Sequence, residues 1–68
     1  MQIKFSENLR KALSDKNETQ ADLAKHLNTT QATVSRWISG VNEPDLQTFL
    51  NICEYLDETP NDLLGYNE

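Results

Sequence analysis

The sequence predicts an all-α domain of five short helices, packed as one unit over residues 1–68. Three observations carry that reading. Apolar residues recur at helical spacing in successive segments along the chain. Residues 20–39 hold two such patterns, separated by a break too tight for a loop. About 37% of residues are hydrophobic and only two are glycine, a balance that suits a small packed helical domain rather than disorder. At this length the chain lies near the lower limit for a single core without staples.

The first helix is expected over about residues 5–16, where Phe5, Leu9, Ala12 and Leu13 share a face and Ser6 or a neighbour starts the helix. Asn17 and Glu18 break it. Thr19, with Asp22 three residues on, makes a capping-box start for the second helix, whose stripe is Leu23, Ala24 and Leu27. Asn28 occupies the corner, which needs a residue that tolerates the left-handed conformation. Ala24 faces that corner, where only a small side chain lets the next helix cross closely. Thr30 is then placed to cap the third helix through the N–H of Ala32 or Thr33, and Val34, Trp37 and Ile38 repeat the apolar stripe. Gly40 serves as its C-cap.

The fourth helix is expected to begin at Pro44 or Asp45, because proline suits the first helical position. Its core stripe reads Leu46, Phe49, Leu50, Cys53 and Leu56, with Ile52 flanking. Thr59-Pro60-Asn61-Asp62 is a cap, a first-turn proline and an acid near the positive helix end, so a fifth helix should run over about residues 60–65. Leu63 and Leu64 would pack back, Gly65 would end the helix, and Tyr66 to Glu68 should fray or serve in contacts. The apolar residues left over (Ile3, Val41, Tyr55, Tyr66) look too scattered to define an interface.

Two helices meeting steeply through a three- or four-residue turn form a helix-turn-helix. The stretch TQADLAKHLNTTQATVSRWISG resembles the helix-turn-helix of the phage repressor and Cro family, and the flanking patterns fit that family's five-helix, lambda-repressor-like domain. The resemblance covers the whole chain, with two departures. Many relatives carry an Arg at the position of Leu13 and a Glu at that of Ile38, paired between helices one and three. Here both are apolar, and such a replacement is often neutral or stabilising. Relatives also place an apolar residue at the position of Glu18, so packing beside the second helix should be looser.

In this geometry the second helix of the pair enters the major groove and its first turn meets base edges. With Val34, Trp37 and Ile38 turned to the core, the outward positions are Gln31, Ala32, Thr33, Ser35 and Arg36, the candidate base contacts. A glutamine bonds an adenine edge in two places, an arginine forks onto guanine, and the methyls of Ala32 or Thr33 suit a thymine methyl. The resemblance assigns Gln31, Ala32 and Arg36 the same roles. It also implies phosphate contacts at Gln20, Thr30 and Asn42. Helix N-termini favour phosphate independently, which supports Gln20 and Thr30.

Charge complicates this reading. Eleven acids against six bases give a net charge of −5, whereas DNA-binding domains are usually basic. The charge is polarised: residues 1–40 carry every base and a net of +2, while residues 41–68 carry seven acids and a net of −7. The loop Val41-Asn42-Glu43-Pro44-Asp45, where relatives often supply Lys or Arg, has two acids and no base. The readout residues are thus kept while part of the electrostatic grip is missing.

Two functions are compatible with these features. One is a small phage-type transcriptional regulator that binds operator DNA, double-stranded, as two copies on half-sites ~34 Å apart. The other is a protein-interaction module, a corepressor or antirepressor, that binds a second repressor protein through Glu43, Asp45 and the acidic face. An antitoxin is a weaker third. Catalysis is not expected: one histidine (His26) and one cysteine (Cys53) cannot make the usual four-ligand zinc site, and no acid/base pair or Gly-rich phosphate loop is recognisable. Neither a cofactor nor a small-molecule substrate is implied. A lone cysteine allows no internal disulfide, and no apolar run approaches the roughly 18 residues of a membrane span. The expected setting is the cytoplasm of a bacterial host, at the nucleoid.

Overall fold

The computed structural model describes residues 3–66, and within them the chain forms five α-helices and no strand. They are α1 (Phe5–Asp15), α2 (Gln20–Leu27), α3 (Gln31–Ser39), α4 (Leu46–Leu56) and α5 (Pro60–Leu64). Most helix starts follow local chemistry. Thr19 and Asp22 form the reciprocal capping box, with Asp22 N–H donating to Thr19 Oγ1 at 3.0 Å and Thr19 N–H to Asp22 Oδ2 at 2.9 Å. The Thr19 backbone N–H, then its side chain, holds the Asp22 carboxyl below the usual range. Thr30 accepts from the N–H of Thr33, not Ala32, and Thr59 accepts from Asp62 behind Pro60.

α1 begins at Phe5, as its expected span of about residues 5–16 has it, without a side-chain cap and with Ser6 inside it. One start differs from expectation. Pro44 does not open the fourth helix: Asp45 is its N-cap, accepting from Thr48 N–H at 2.8 Å, so the helix starts at Leu46. A carboxylate that can bond an orphan N–H outweighs the fixed φ of the preceding proline.

Four helices stop on a left-handed residue, Asn28, Gly40, Asp57 and Gly65, and α1 reaches one at Asn17, just past its cap Lys16. At Asn28 the chain makes a Schellman turn, in which Thr29 N–H donates to Ala24 O at 2.9 Å and Asn28 N–H to Lys25 O at 3.2 Å. This turn sets the crossing of α2 and α3, the most extensive helix pairing in the domain. Alanine at Asn28, with φ of 57°, lacks the polar side chain that makes this conformation tolerable. Asn28→Ala should therefore cost ~1 kcal/mol, seen as a fall in melting temperature of about 4–8 °C. Asn28→Gly should melt at or above the wild type. Equal melting of Ala and Gly variants would contradict this account of the turn.

The core gathers Phe5, Leu9, Ala12 and Leu13 from α1, Leu23 and Ala24 from α2, Val34 and Trp37 from α3, Phe49, Ile52, Cys53 and Leu56 from α4, and Leu63 from α5. Leu13 is buried and Ile38 packs against the same cluster, so the family's ion-pair positions are apolar here and belong to the core. The phase of α4 departs from expectation. Ile52 is fully buried, whereas Leu46 is 82% and Leu50 46% exposed. The inward stripe is Phe49-Ile52-Cys53-Leu56, fixed in part by an edge-to-face contact of Phe49 with Phe5 at 5.6 Å.

The start of α1 and the end of α5 are tied together. Asn8 Nδ2 donates to the carbonyls of Asp62 and Leu63, and Lys4 N–H donates to Leu64 O at 3.1 Å, which satisfies the last carbonyls of α5. Gly65 sits in that seam at φ 72°, where an added Cβ would lie 3.1 Å from Asn8 and 3.2 Å from Lys4. Tyr66 N–H donates to Asn61 O, so Tyr66 is held rather than frayed, and Asn67 and Glu68 lie outside the described residues.

Glu18 does not loosen the α1–α2 corner. Tyr55 Oη on α4 donates to the Glu18 carboxylate, and the Tyr55 ring stacks on His26 of α2 at 4.1 Å and 23°. Tyr55 is therefore partly buried and fastens three segments. The bond to Glu18, burial and the Glu18 charge push the Tyr55 hydroxyl up to about 12. Because the folded value lies above the ordinary value of 10, this contribution is complete below pH 10 and is lost between about pH 10 and 12. Tyr55→Phe should lower the melting temperature at pH 8 and flatten its decline from pH 10 to 12. An identical alkaline decline in both proteins would contradict the Tyr55–Glu18 bond.

Candidate nucleic-acid interface

The buried pair Val34 and Trp37 fixes the rotation of α3 on the core, and that rotation decides what faces outward. Gln31, Ala32, Ser35 and Arg36 are exposed. The Arg36 guanidinium takes no part in an ion pair among the described residues, where the one such contact is Lys16–Glu58 at 3.9 Å. Thr33 differs from the other four. It is half-buried, and its hydroxyl lies 2.9 Å from that of Thr30, so its polar group is already engaged.

The helix start adds backbone donors. Thr30 takes the N–H of Thr33, which leaves the N–H groups of Gln31 and Ala32 without a partner in the helix. The same holds at α2, where Thr19 takes Asp22 N–H and Gln20 stands first in the helix, half-buried. Two N-termini with unspent donors therefore accompany the exposed face of α3, an arrangement suited to anions. Asn42 lies past the other end of α3, exposed, with its backbone N–H 3.4 Å from Arg36 O.

The two acids differ. Asp45 is spent on the α4 cap, and the Thr48 backbone N–H, then its side chain, keeps its carboxyl below the usual range. Glu43 caps nothing and lines a groove with Ile3, Phe5, Pro44, Leu46, Phe49 and Leu64. Among the described residues no group of His, Cys, Asp and Glu could hold a metal, and no helix is long and apolar enough to cross a membrane. Cys53 is buried in the core, where burial pushes its thiol up and leaves it inert.

Comparison with known proteins decides the family. A model of the Cro/C1-type HTH DNA-binding domain matches residues 8–68. The chain belongs to that family. This Cro/C1-type domain is 38% identical over 60 residues to YqaE of Bacillus subtilis (strain 168), an uncharacterized HTH-type transcriptional regulator, with 88% of this chain and 52% of YqaE covered. It is 30% identical over 66 residues to the HTH-type transcriptional activator BcrR of Enterococcus faecalis, with 97% of this chain and 32% of BcrR covered. The crystal structure of a transcriptional regulator from Listeria innocua superposes with a TM-score of 0.91 at 26% identity, covering 100% of this chain and 64% of that one. The Cro/C1-type domain thus spans about half or less of the two curated relatives. Its family is a DNA-binding one and not a known enzyme class.

Sequence reading missed the Glu18–Tyr55–His26 fastening and the groove beside Glu43. Tyr55 carried a weak signal, since it sits three residues after Ile52 and so leans toward the buried side of α4.

Proposed function

We propose that this Cro/C1-type domain is a transcriptional regulator that reads operator DNA in the major groove with α3. The observation that carries the proposal is the exposed, unpaired Arg36 beside Gln31 and Ala32 on a helix whose rotation the core fixes. Arg36 forks onto a guanine, Gln31 bonds an adenine edge, Ala32 meets a thymine methyl, and Ser35 is a secondary contact. Thr33, with its hydroxyl engaged, offers only its methyl. Gln20 and Thr30 bind phosphate at the two helix starts, and Asn42 does so beyond Gly40. Two copies occupy half-sites about one helical turn apart, as phage-type switches do, in the bacterial cytoplasm.

The acidic loop sets the expected weakness of this grip. Replacing Glu43 by lysine removes one repulsion and adds one phosphate contact. Glu43→Lys should bind duplex DNA more tightly and steepen the salt dependence by ~0.9 in log–log slope. Asp45→Asn keeps the α4 cap while removing a charge and should shift affinity in the same direction. If neither change moves DNA affinity, the loop does not lie along the backbone.

A second reading, binding to another regulator protein, is favoured by one observation: an apolar groove with Glu43 in its lining, on the base-free half of the chain.

A further inference from the structure

Four of the five large apolar side chains that are most exposed, Ile3, Val41, Leu46 and Leu50, come from the chain start, the α3–α4 loop and the outer face of α4. Three of them, Ile3, Leu46 and Leu50, belong together. Ile3 and Leu46 line one groove with Pro44, Leu64 and the edges of Phe5 and Phe49, and Leu50 continues the Leu46 row one turn along α4. None of Gln31, Ala32, Ser35 and Arg36 lines this groove. A DNA backbone gains nothing from leucines, so the face is unexplained by the reading of α3. At about 250 Å³ the groove falls below the ~300–1,000 Å³ of small-ligand pockets.

Charge selects the occupant. Glu43 lines the groove, Asp45 precedes Leu46, and Glu54 follows Leu50 by one turn on the same row. Residues 41–68 contain no basic side chain, and among the described residues Lys4 brings a cation beside Leu64. A second copy docking face to face would set Glu43, Asp45 and Glu54 against like charges. The described residues form no sheet edge, so an incoming peptide cannot add as a strand. We propose that this groove is a docking site for a basic amphipathic helix of another protein, its apolar residues seated on Leu46, Leu50 and Ile3 and its Lys or Arg residues facing Glu43, Asp45 and Glu54. The proposal stands apart from the reading of α3 and survives its failure.

The test titrates the full chain with a fluorescent four-turn peptide carrying leucine at i, i+3, i+4 and i+7 and lysine on the opposite face. A matched peptide with glutamate in place of lysine is the control. The lysine peptide should bind, weaken at least tenfold between about 50 and 500 mM salt, and perturb amide resonances of Ile3, Leu46, Leu50 and Leu64. The double variant Leu46→Gln/Leu50→Gln should lose at least tenfold in affinity with unchanged melting, since both side chains are exposed and all charges remain. Glu43→Gln should weaken binding and make it less salt-sensitive. Duplex binding by the Leu46→Gln/Leu50→Gln variant, measured in parallel, should equal the wild type. Equal binding of lysine and glutamate peptides, or no loss in the double variant, would overturn the proposal. So would a peptide-free dimer in sedimentation that tightens with salt and dissolves in the double variant, which would identify a second copy as the occupant.

Discussion

Trp37→Ala is expected to remove a large share of the protein's stability. The indole is 6% exposed and closes the core between α3 and α1. Truncating a buried tryptophan typically costs 3–5 kcal/mol, through lost burial and the cavity left behind. A domain of this length has roughly 3–10 kcal/mol in total. Circular dichroism should show a broad, early melt and a low urea midpoint, and DNA binding should fail with the fold. Trp37→Phe keeps most of the apolar volume and should retain a cooperative transition. A Trp37→Ala protein melting within a few degrees of wild type would show that the indole does not fix the rotation of α3.

Arg36→Ala should do the opposite: leave stability alone and damage recognition. The side chain is exposed and pairs with no acid among the described residues, so its loss should change folding by no more than ~0.5 kcal/mol. In DNA binding the same change should cost ~1–3 kcal/mol and erase preference at one base pair. Arg36→Lys should not rescue that preference, because a single ammonium cannot reproduce the planar two-pronged contact with guanine. The comparison uses one operator and its single-base variants. A uniform loss across all variants would demote Arg36 from base reading to a phosphate contact.

Much of this was legible because helix ends are written locally. Thr19 with Asp22, Thr30, Asn28, Gly40 and Thr59-Pro60 each bond groups within a few residues, and each takes the expected position. The outward face of α3 followed from one inference, that Val34 and Trp37 are core. α4 was harder for a physical reason. Leu46, Phe49, Leu50, Ile52, Cys53, Tyr55 and Leu56 make most of the helix apolar, so two phases fit the spacing equally well. The choice is made by partners far away in sequence, Phe5 against Phe49 and Glu18 against Tyr55. The exposed leucines are the remainder of that choice, and the groove they form was invisible for the same reason. At Pro44 two local signals competed and the stronger capping bond of Asp45 won.

The central claim, that this domain reads DNA through α3, is tested most directly by fluorescence anisotropy. Labelled duplex from the region upstream of its own coding sequence is titrated with protein at about 50 and 200 mM salt, beside a scrambled duplex. The account predicts sub-micromolar binding at the lower salt, a clear preference for the upstream duplex, and a loss of affinity as salt rises. Arg36→Ala should lower that preference by ~1–3 kcal/mol while keeping the salt response. Binding that is absent, or equal for both duplexes and unchanged by Arg36→Ala, would contradict it.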